Sequence, residues 1–390
     1  MAAGREGPVA IAVSGGSDSL ALLLTAHDWA KVSGRDLLVL TVDHGLRPEA
    51  VDEAKGVAAR SEALGHASRI LTWRDGAPSQ VQARKARHGL LARAARNVGA
   101  ELLLLGHTRT DVEETMLMRL ARPTRLPASI GPQPVSVSPV WPEGRGLLIG
   151  RPLIGVKRAM IMSSLAQAGE AWVSDPSNES DAYERVRIRK LSERLDPARL
   201  HKVTSAGMIL RAVEDVRLAG LVEQRARVDA DGLMSVDLTA CEAAPPVMRR
   251  FLALLLLAAS GDSRSAAAPA VQALAEDIAA GGPASRLTLG GGWVQRRGGT
   301  LLIGRDPGEA RLEWRGGIWD GRYQRGARLA RGDALPFLVR HSVPDEPWEE
   351  IVSGRLALWA EALRLGADIA AELASHSPGS PLSMATTHPA

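Results

Sequence analysis

Val9-Ala10-Ile11-Ala12-Val13-Ser14-Gly15-Gly16-Ser17-Asp18-Ser19-Leu20-Ala21-Leu22-Leu23-Leu24 runs from an apolar pentad through a glycine turn into a second apolar run. The first part reads as a buried strand and the last as the start of a helix. The alternation continues outward. Leu37 to Val42, Arg69 to Trp73 and Leu102 to Leu105 are strand-like, whereas Asp18 to Ala30, Glu49 to Leu64, Ser79 to Val98 and Asp111 to Arg122 have helical periodicity. Short apolar strands alternating with helices predict a doubly wound α/β domain with a mostly parallel sheet. In such sheets ligands bind beyond the carboxyl ends of the strands.

The turn itself carries chemistry. Gly15 and Gly16 let the backbone approach an anion, and the helix that follows presents unpaired amides and the positive end of its dipole. Ser14, Ser17 and Ser19 add hydroxyl donors. The chain has no GxxxxGK[ST] motif, so a Walker-type phosphate loop is excluded. Asp18 stands instead in the turn, and a carboxylate beside phosphates makes sense as a Mg²⁺ ligand.

Two further strands end in polar residues. Asp43 and His44 follow Leu37 to Val42, and His107 follows Leu102 to Leu105, so both positions fall at the carboxyl ends of parallel strands, beside the glycine turn. Asp111 and Glu114 are three apart on the helix after His107 and share a face. Arg84 and Arg87 share a helix face in the same way.

At 390 residues the chain has room for two or three domains. We expect residues 1–150 to form the α/β domain, with core motifs reaching about 195, and 151–282 a helical, basic domain. Residues 283–345 are expected to form a small β-containing domain, and 346–390 a helix followed by a disordered tail rich in Ser, Pro and Thr after His376. Pro123 to Pro142 carries six prolines and is expected to be a loop or linker. Between Tyr183 and Arg227 eleven Lys and Arg face six acids, an excess of five that exceeds the whole chain's +4. A local basic stretch of this kind points to a phosphate-rich partner. Its densest part is Arg185, Arg187, Arg189 and Lys190.

The longest apolar run, Phe251 to Ala259, is nine residues, too short for a membrane-spanning helix, which needs about 20. No signal-peptide pattern precedes Val9, and the expected location is cytoplasmic. The single cysteine, Cys241, rules out an intramolecular disulfide, a CxxC pair and a multi-cysteine metal site. Aromatic residues are 3% of the chain, so a broad base-stacking platform is not expected.

Ser14-Gly15-Gly16-Ser17-Asp18-Ser19 after a first strand resembles the pyrophosphate loop of the N-type ATP pyrophosphatases, which have the adenine nucleotide alpha hydrolase-like fold. Five more motifs occur in the order found in tRNA(Ile)-lysidine synthetases: Val42-Asp43-His44-Gly45-Leu46-Arg47, Gln82-Ala83-Arg84-Lys85-Ala86-Arg87, Gly106-His107 through Glu113-Glu114-Thr115, Arg151-Pro152-Leu153 and Asp175-Pro176-Ser177-Asn178. The resemblance is close over about residues 8 to 195. It implies ATP-dependent joining of free L-lysine to C2 of the wobble cytidine in the isoleucine tRNA with a CAU anticodon, through an adenylated cytidine, releasing AMP and pyrophosphate. It further implies that Ser14 to Ser19, Asp43, His44 and Arg87 bind nucleotide, and that Asp18, Arg84, His107 and Asp111 are catalytic. Asp18 and Asp111 would hold Mg²⁺, with Arg84 and Arg87 at the α-phosphate. His107 and Glu114 would lie near the incoming lysine, and Arg185, Arg187, Arg189 and Lys190 would contact tRNA. No membrane is involved, and a homodimer is left open.

Three departures stand out. The family commonly has two adjacent aspartates after the strand-end histidine, and here the first is Thr110. His88 stands where tyrosine is usual. The proline-rich Pro123 to Pro142 replaces what is often a glycine-containing loop. Two alternatives remain at this level: a 2-thiolation enzyme built on the same loop, disfavoured because Cys241 lies far from the motifs, and a nucleotide- and tRNA-binding protein impaired in catalysis, for which Thr110 is the motive.

Overall fold

The computed structural model describes residues 5–43, 45, 49–73, 80–122, 126–141, 143–173, 184–229, 233–239, 243–260, 266–306, 318–319, 323–325, 338–340 and 348–375. The first six strands are β1 (Val9–Ala12), β2 (Leu37–Asp43), β3 (Ala67–Thr72), β4 (Leu102–Leu105), β5 (Val135–Val137) and β6 (Leu148–Gly150). They form one sheet in the order β3-β2-β1-β4-β6-β5. Every pairing is parallel except that of β5 with β6. The order reverses at β1, whose neighbours β2 and β4 lie on either side, so the crevice expected of a doubly wound sheet opens between β1 and β4.

The strands are apolar because both faces are covered. Val9, Ile11, Leu37, Val39, Leu102 and Leu104 pack on one side against helices that include α1 (Ser17–Ser33). Ala10, Leu38, Leu40, Leu103 and Leu105 pack on the other side against Leu91, Ala92, Ala94 and Ala95 of α3 (Gln80–Arg96). Between these helices in sequence is α2 (Glu49–Ala63), and after β4 comes α4 (Arg109–Leu120). Pro123 to Pro142 is not simply a loop. It contains a helical turn, α5 (Leu126–Ser129), and the edge strand β5. Pro132, Pro134 and Pro139 lie outside that three-residue strand, where missing amide donors cost no ladder bond.

Beyond β6, a 3₁₀ turn (Pro152–Gly155) leads to α6 (Arg158–Gln167), followed by α7 (Glu184–Ser192) and the long α8 (Pro197–Arg225). A second sheet is antiparallel, in the order β7-β8-β11-β10-β9. Its strands are β7 (Ala226–Val228), β8 (Met234–Asp237), β9 (Leu287–Leu289), β10 (Gly292–Arg297) and β11 (Thr300–Arg305). Phe251, Leu252, Leu255 and Leu256 of α9 (Pro245–Ser260) and Leu274 of α10 (Ala268–Ala279) fill the core beneath it. Three short strands, β12 (Ile318–Trp319), β13 (Tyr323–Arg325) and β14 (Leu338–Arg340), pair antiparallel.

The last described helix, α11 (Trp348–Ser375), joins three cores. Val352, Leu356 and Ala360 enter the core of the second sheet, and Ala362 enters that of the first. Ala367 and Ala370 join Val112 and Met116 of α4 and Leu200, Met208 and Ala212 of α8. At Gly366 the helix passes so close to β5 that a side-chain carbon would lie 3.2 Å from the Val135 carbonyl oxygen. The edge of the first sheet is thereby covered.

Candidate functional site

The glycine turn after β1 is held open by its serines. Ser14 donates its backbone N–H to Ser19 Oγ at 3.1 Å, and Ser19 Oγ donates to the Gly16 carbonyl at 2.9 Å. Gly15 takes φ +84°, a conformation that side chains resist, and its carbonyl accepts the Val173 N–H at 3.0 Å. Gly16 is the N-cap of α1 and among the described residues no side chain caps the helix, so the first amides of α1 face an anion site.

The end of β4 meets this turn. A side-chain carbon on Gly106 would lie 3.0 Å from the Asp18 carbonyl oxygen and 3.2 Å from the Ser19 nitrogen. Only glycine lets the strand end and the helix start touch in this way. His107 follows, half-buried and with Nδ1 inaccessible and unpartnered among the described residues. Burial first, then the Arg151 charge, pushes its pKa down to about 3, so the imidazole is neutral at physiological pH. Thr108 caps α4. Its N–H and hydroxyl both donate to Asp111 Oδ2, at 2.7 and 2.8 Å. This leaves Asp111 Oδ1 facing the crevice.

Three carboxylates converge there with arginines. Arg158 Nε donates to Asp18 Oδ2 at 2.7 Å, while Arg158 Nη2 lies 2.7 Å from the same oxygen and 3.7 Å from Asp111 Oδ1. Arg185 Nη2 donates to Asp111 Oδ1 at 2.8 Å and Arg185 Nε to Glu114 Oε2 at 2.7 Å. Arg189 Nε takes the other Glu114 oxygen at 2.6 Å. Glu114 is wholly buried. Burial raises the Asp18 pKa, opposed by Arg158. Asp111 is also disfavoured by burial, but Arg158, Arg185 and the Thr108 amide outweigh this and hold its pKa below the usual range.

Around these groups the charge is positive. Arg84 and Arg87 of α3 influence the His88 pKa, and Arg84, Arg151 and Arg185 act on His107. Burial and the Arg84 charge lower the Arg87 pKa and bring Arg151 to about 10. Three arginines (158, 185 and 189) thus bond to the three carboxylates, and Arg84 acts on Asp111 as well as on His107. Such a crevice suits a highly charged anion. Asp43 has a local structural task, accepting the Gly45 N–H at 2.9 Å through Oδ1 at the end of β2.

The structure brings Asp18, Arg84, His107, Asp111 and Glu114 together, with Arg87 near Arg84 on α3. His44, Asp175 to Asn178 and Cys241 lie outside the described residues. The basic cluster divides. Arg185 and Arg189, four apart, turn inward onto Asp111 and Glu114, whereas Arg187 and Lys190 are exposed on the outer face of α7. Sequence reasoning missed Arg158, although a signal existed. Lys157 and Arg158 occupy the N-cap and first position of α6, at the positive end of its dipole, where cations are disfavoured unless something nearby requires them.

Comparison with known proteins agrees with this geometry. The PP-loop domain family matches residues 3–195. A curated tRNA(Ile)-lysidine synthase of Hyphomonas neptunium is 40% identical over 289 residues, covering 73% of this chain and 77% of that protein. The chain belongs to the tRNA(Ile)-lysidine synthase family. The tRNA(Ile)-lysidine synthase of Caulobacter vibrioides is 36% identical over 363 residues, 92% of this chain and 77% of the relative. That of Methylobacterium sp. is 37% identical over 334 residues, 80% and 93% respectively. The PP-loop match implies ATP binding. Among the described residues, no helix is long and apolar enough to cross a membrane.

Proposed function

We propose that this protein is a tRNA(Ile)-lysidine synthase that attaches L-lysine to C2 of the wobble cytidine of the CAU-anticodon isoleucine tRNA. Membership of the family supports the reaction, and the observation that carries it to individual residues is the meeting of the Ser14–Ser19 turn, Asp111 and Glu114 in the β1/β4 crevice. The triphosphate of ATP lies along the uncapped start of α1, with Arg84 and Arg87 toward the α-phosphate. The cytidine O2 attacks the α-phosphorus, and the bond to the bridging oxygen breaks with its electron pair leaving on pyrophosphate. The lysine ε-amine then attacks C2, AMP departs with the former O2, and the amine loses a proton to solvent. Adenylation makes a poor leaving oxygen a good one.

Mg²⁺ fits the residues present. Asp18 and Asp111 already converge on one cation, the Arg158 guanidinium, and one or two carboxylates completed by phosphate and water are the usual Mg²⁺ set. When bound, the metal supplies charge neutralisation on the departing pyrophosphate. Glu114 provides the carboxylate for the lysine ammonium, which would replace Arg185 or Arg189 on one of its oxygens. His107, kept neutral by partial burial and the Arg151 charge, adds no repulsion there. The exposed Arg187 and Lys190 are suited to tRNA phosphates.

The test is incubation with Mg-ATP, labelled lysine and transcribed tRNA(Ile) carrying a CAU anticodon, with the CAU-bearing methionine tRNA as control. Label on the isoleucine tRNA alone is expected. AMP formation without lysine transfer would overturn the choice of amine, and absence of AMP would overturn the enzymatic reading in favour of a binding protein.

A further inference from the structure

Arg158 has no role in the chemistry described so far, yet it is the residue that joins Asp18 to Asp111. We propose that Arg158 is a catalytic residue for pyrophosphate departure, parked on these carboxylates in the nucleotide-free protein and transferred to the β- and γ-phosphates when ATP binds, and that Thr110 is the positioning residue that fixes its root. This inference rests on the lysidine synthase reading and names a further residue of the same site.

The parked position cannot persist once the site is loaded. Asp18 Oδ2 accepts both Nε and Nη2 of Arg158 at 2.7 Å. A divalent cation on Asp18 and Asp111 would compete for that oxygen and repel the guanidinium. The incoming triphosphate offers a more highly charged acceptor, and a guanidinium matches phosphate oxygens in bidentate fashion. Arg158 is able to move. Its side chain is 24% exposed, and its bonds to the two carboxylates involve only the guanidinium at the end of a flexible stem.

The root of the side chain, by contrast, is fixed. The Arg158 N–H donates to Thr110 Oγ1 at 3.2 Å, and the Arg109 N–H donates to the Val156 carbonyl at 2.8 Å. These two bonds stitch the start of α4, which carries Asp111, to the start of α6, which carries Arg158. Thr110 is the position at which the family commonly has an aspartate. Its hydroxyl accepts the α6 amide without adding a fourth negative charge beside Asp18, Asp111 and Glu114. The departure from the family pattern is thus explained as support for a mobile cation rather than as loss of a catalytic group.

The experiment compares binding of AMP with binding of a nonhydrolysable ATP analogue, each with Mg²⁺, by calorimetry. It uses the wild type and the Arg158→Gln, Arg158→Lys, Thr110→Val and Thr110→Ser variants, with folding checked by circular dichroism. For Arg158→Gln the analogue should bind about 10- to 100-fold more weakly, the value of one charge-assisted hydrogen bond, while AMP binding is unchanged. Arg158→Lys should recover part of the loss. Thr110→Val should slow pyrophosphate release in a single turnover, and Thr110→Ser should restore it. An unchanged ATP-analogue to AMP affinity ratio in Arg158→Gln overturns the proposal, as does failure of Thr110→Ser to differ from Thr110→Val. The two readings fail separately. If the wild type transfers lysine but Arg158→Gln keeps its triphosphate preference, this inference falls and the function stands. If the wild type transfers no lysine but Arg158→Gln loses the preference, the reverse holds.

Discussion

Replacing Gly106 with alanine tests whether the end of β4 and the phosphate turn act as one rigid piece. The added methyl would lie 3.0 Å from the Asp18 carbonyl oxygen, 3.1 Å from its carbon and 3.2 Å from the Ser19 nitrogen. All three are backbone atoms, so no side chain can swing aside. Ordinary carbon contacts are about 3.5–4.0 Å, so the start of α1 must retreat by roughly 0.5 Å. Overpacking of this kind costs about 1–3 kcal/mol, and should lower the urea midpoint accordingly. The same retreat moves Asp18 and the amides that face the nucleotide. Since a 1 Å misplacement costs about 100-fold in rate, half of that predicts a loss of roughly tenfold in pyrophosphate release. Gly89→Ala is the control. Gly89 lies within α3 with nothing within 4 Å of its added carbon, and should gain about 0.5–1 kcal/mol with wild-type turnover. A Gly106→Ala variant with wild-type midpoint and rate would refute the rigid coupling.

Other outcomes follow from the same site. Burial, then Arg87, Arg84 and Arg151, brings the His88 pKa to about 3 against an ordinary 6.5. The unfolded chain therefore takes up a proton below about pH 6.5 that the folded protein refuses until about pH 3. His88 thus costs stability as pH falls through that window, at about 1.4 kcal/mol per pH unit. His88→Tyr should flatten the pH dependence of the unfolding free energy between pH 6 and 4 by that slope, and an unchanged slope would count against the neutral buried imidazole. Glu114→Gln leaves the Arg185 and Arg189 guanidiniums facing each other. Because these side chains remain 41% and 27% exposed, the expected loss is about 1–3 kcal/mol, below the full cost of breaking a buried pair, and it is read from the urea midpoint together with the loss of lysine transfer. Binding to tRNA should weaken with salt, with a log-log slope of roughly −3.5 to −4.5 if about five phosphates are neutralised. A flat response in filter binding would exclude the α7–α8 face as the docking surface.

Much of this was legible in the sequence because each signal was local. Apolar tetrads such as Leu102–Leu105 are buried on both faces and need no partner to be recognised, and the three-residue spacing of Asp111 and Glu114 places both on one side of α4. What stayed hidden was long-range. β7, β8 and β5 are three or four residues long and exist only through pairing with β8, β11 and β6, respectively. No periodicity can accumulate over so few residues. The inward turn of Arg185 and Arg189 was equally hidden, since a basic helix looks the same whether its arginines face solvent or a buried glutamate. Arg158 reaches Asp18 across 140 positions of chain, and only its unfavourable place at the start of α6 gave notice of it.

The helix that ties the three cores together also sets a timetable for synthesis. β5 can pair with β6 early, but among the described residues its outer edge is covered by α11 at Gly366. On a ribosome adding about 5–20 residues per second, the roughly 200 residues between β5 and α11 take about 10–40 seconds to appear. Until then the cover that α11 gives β5 is missing. Pro132, Pro134 and Pro139 bracket that strand, and residues without amide donors are poor templates for a foreign strand. The proline-rich segment thus guards the unfinished sheet until α11 arrives.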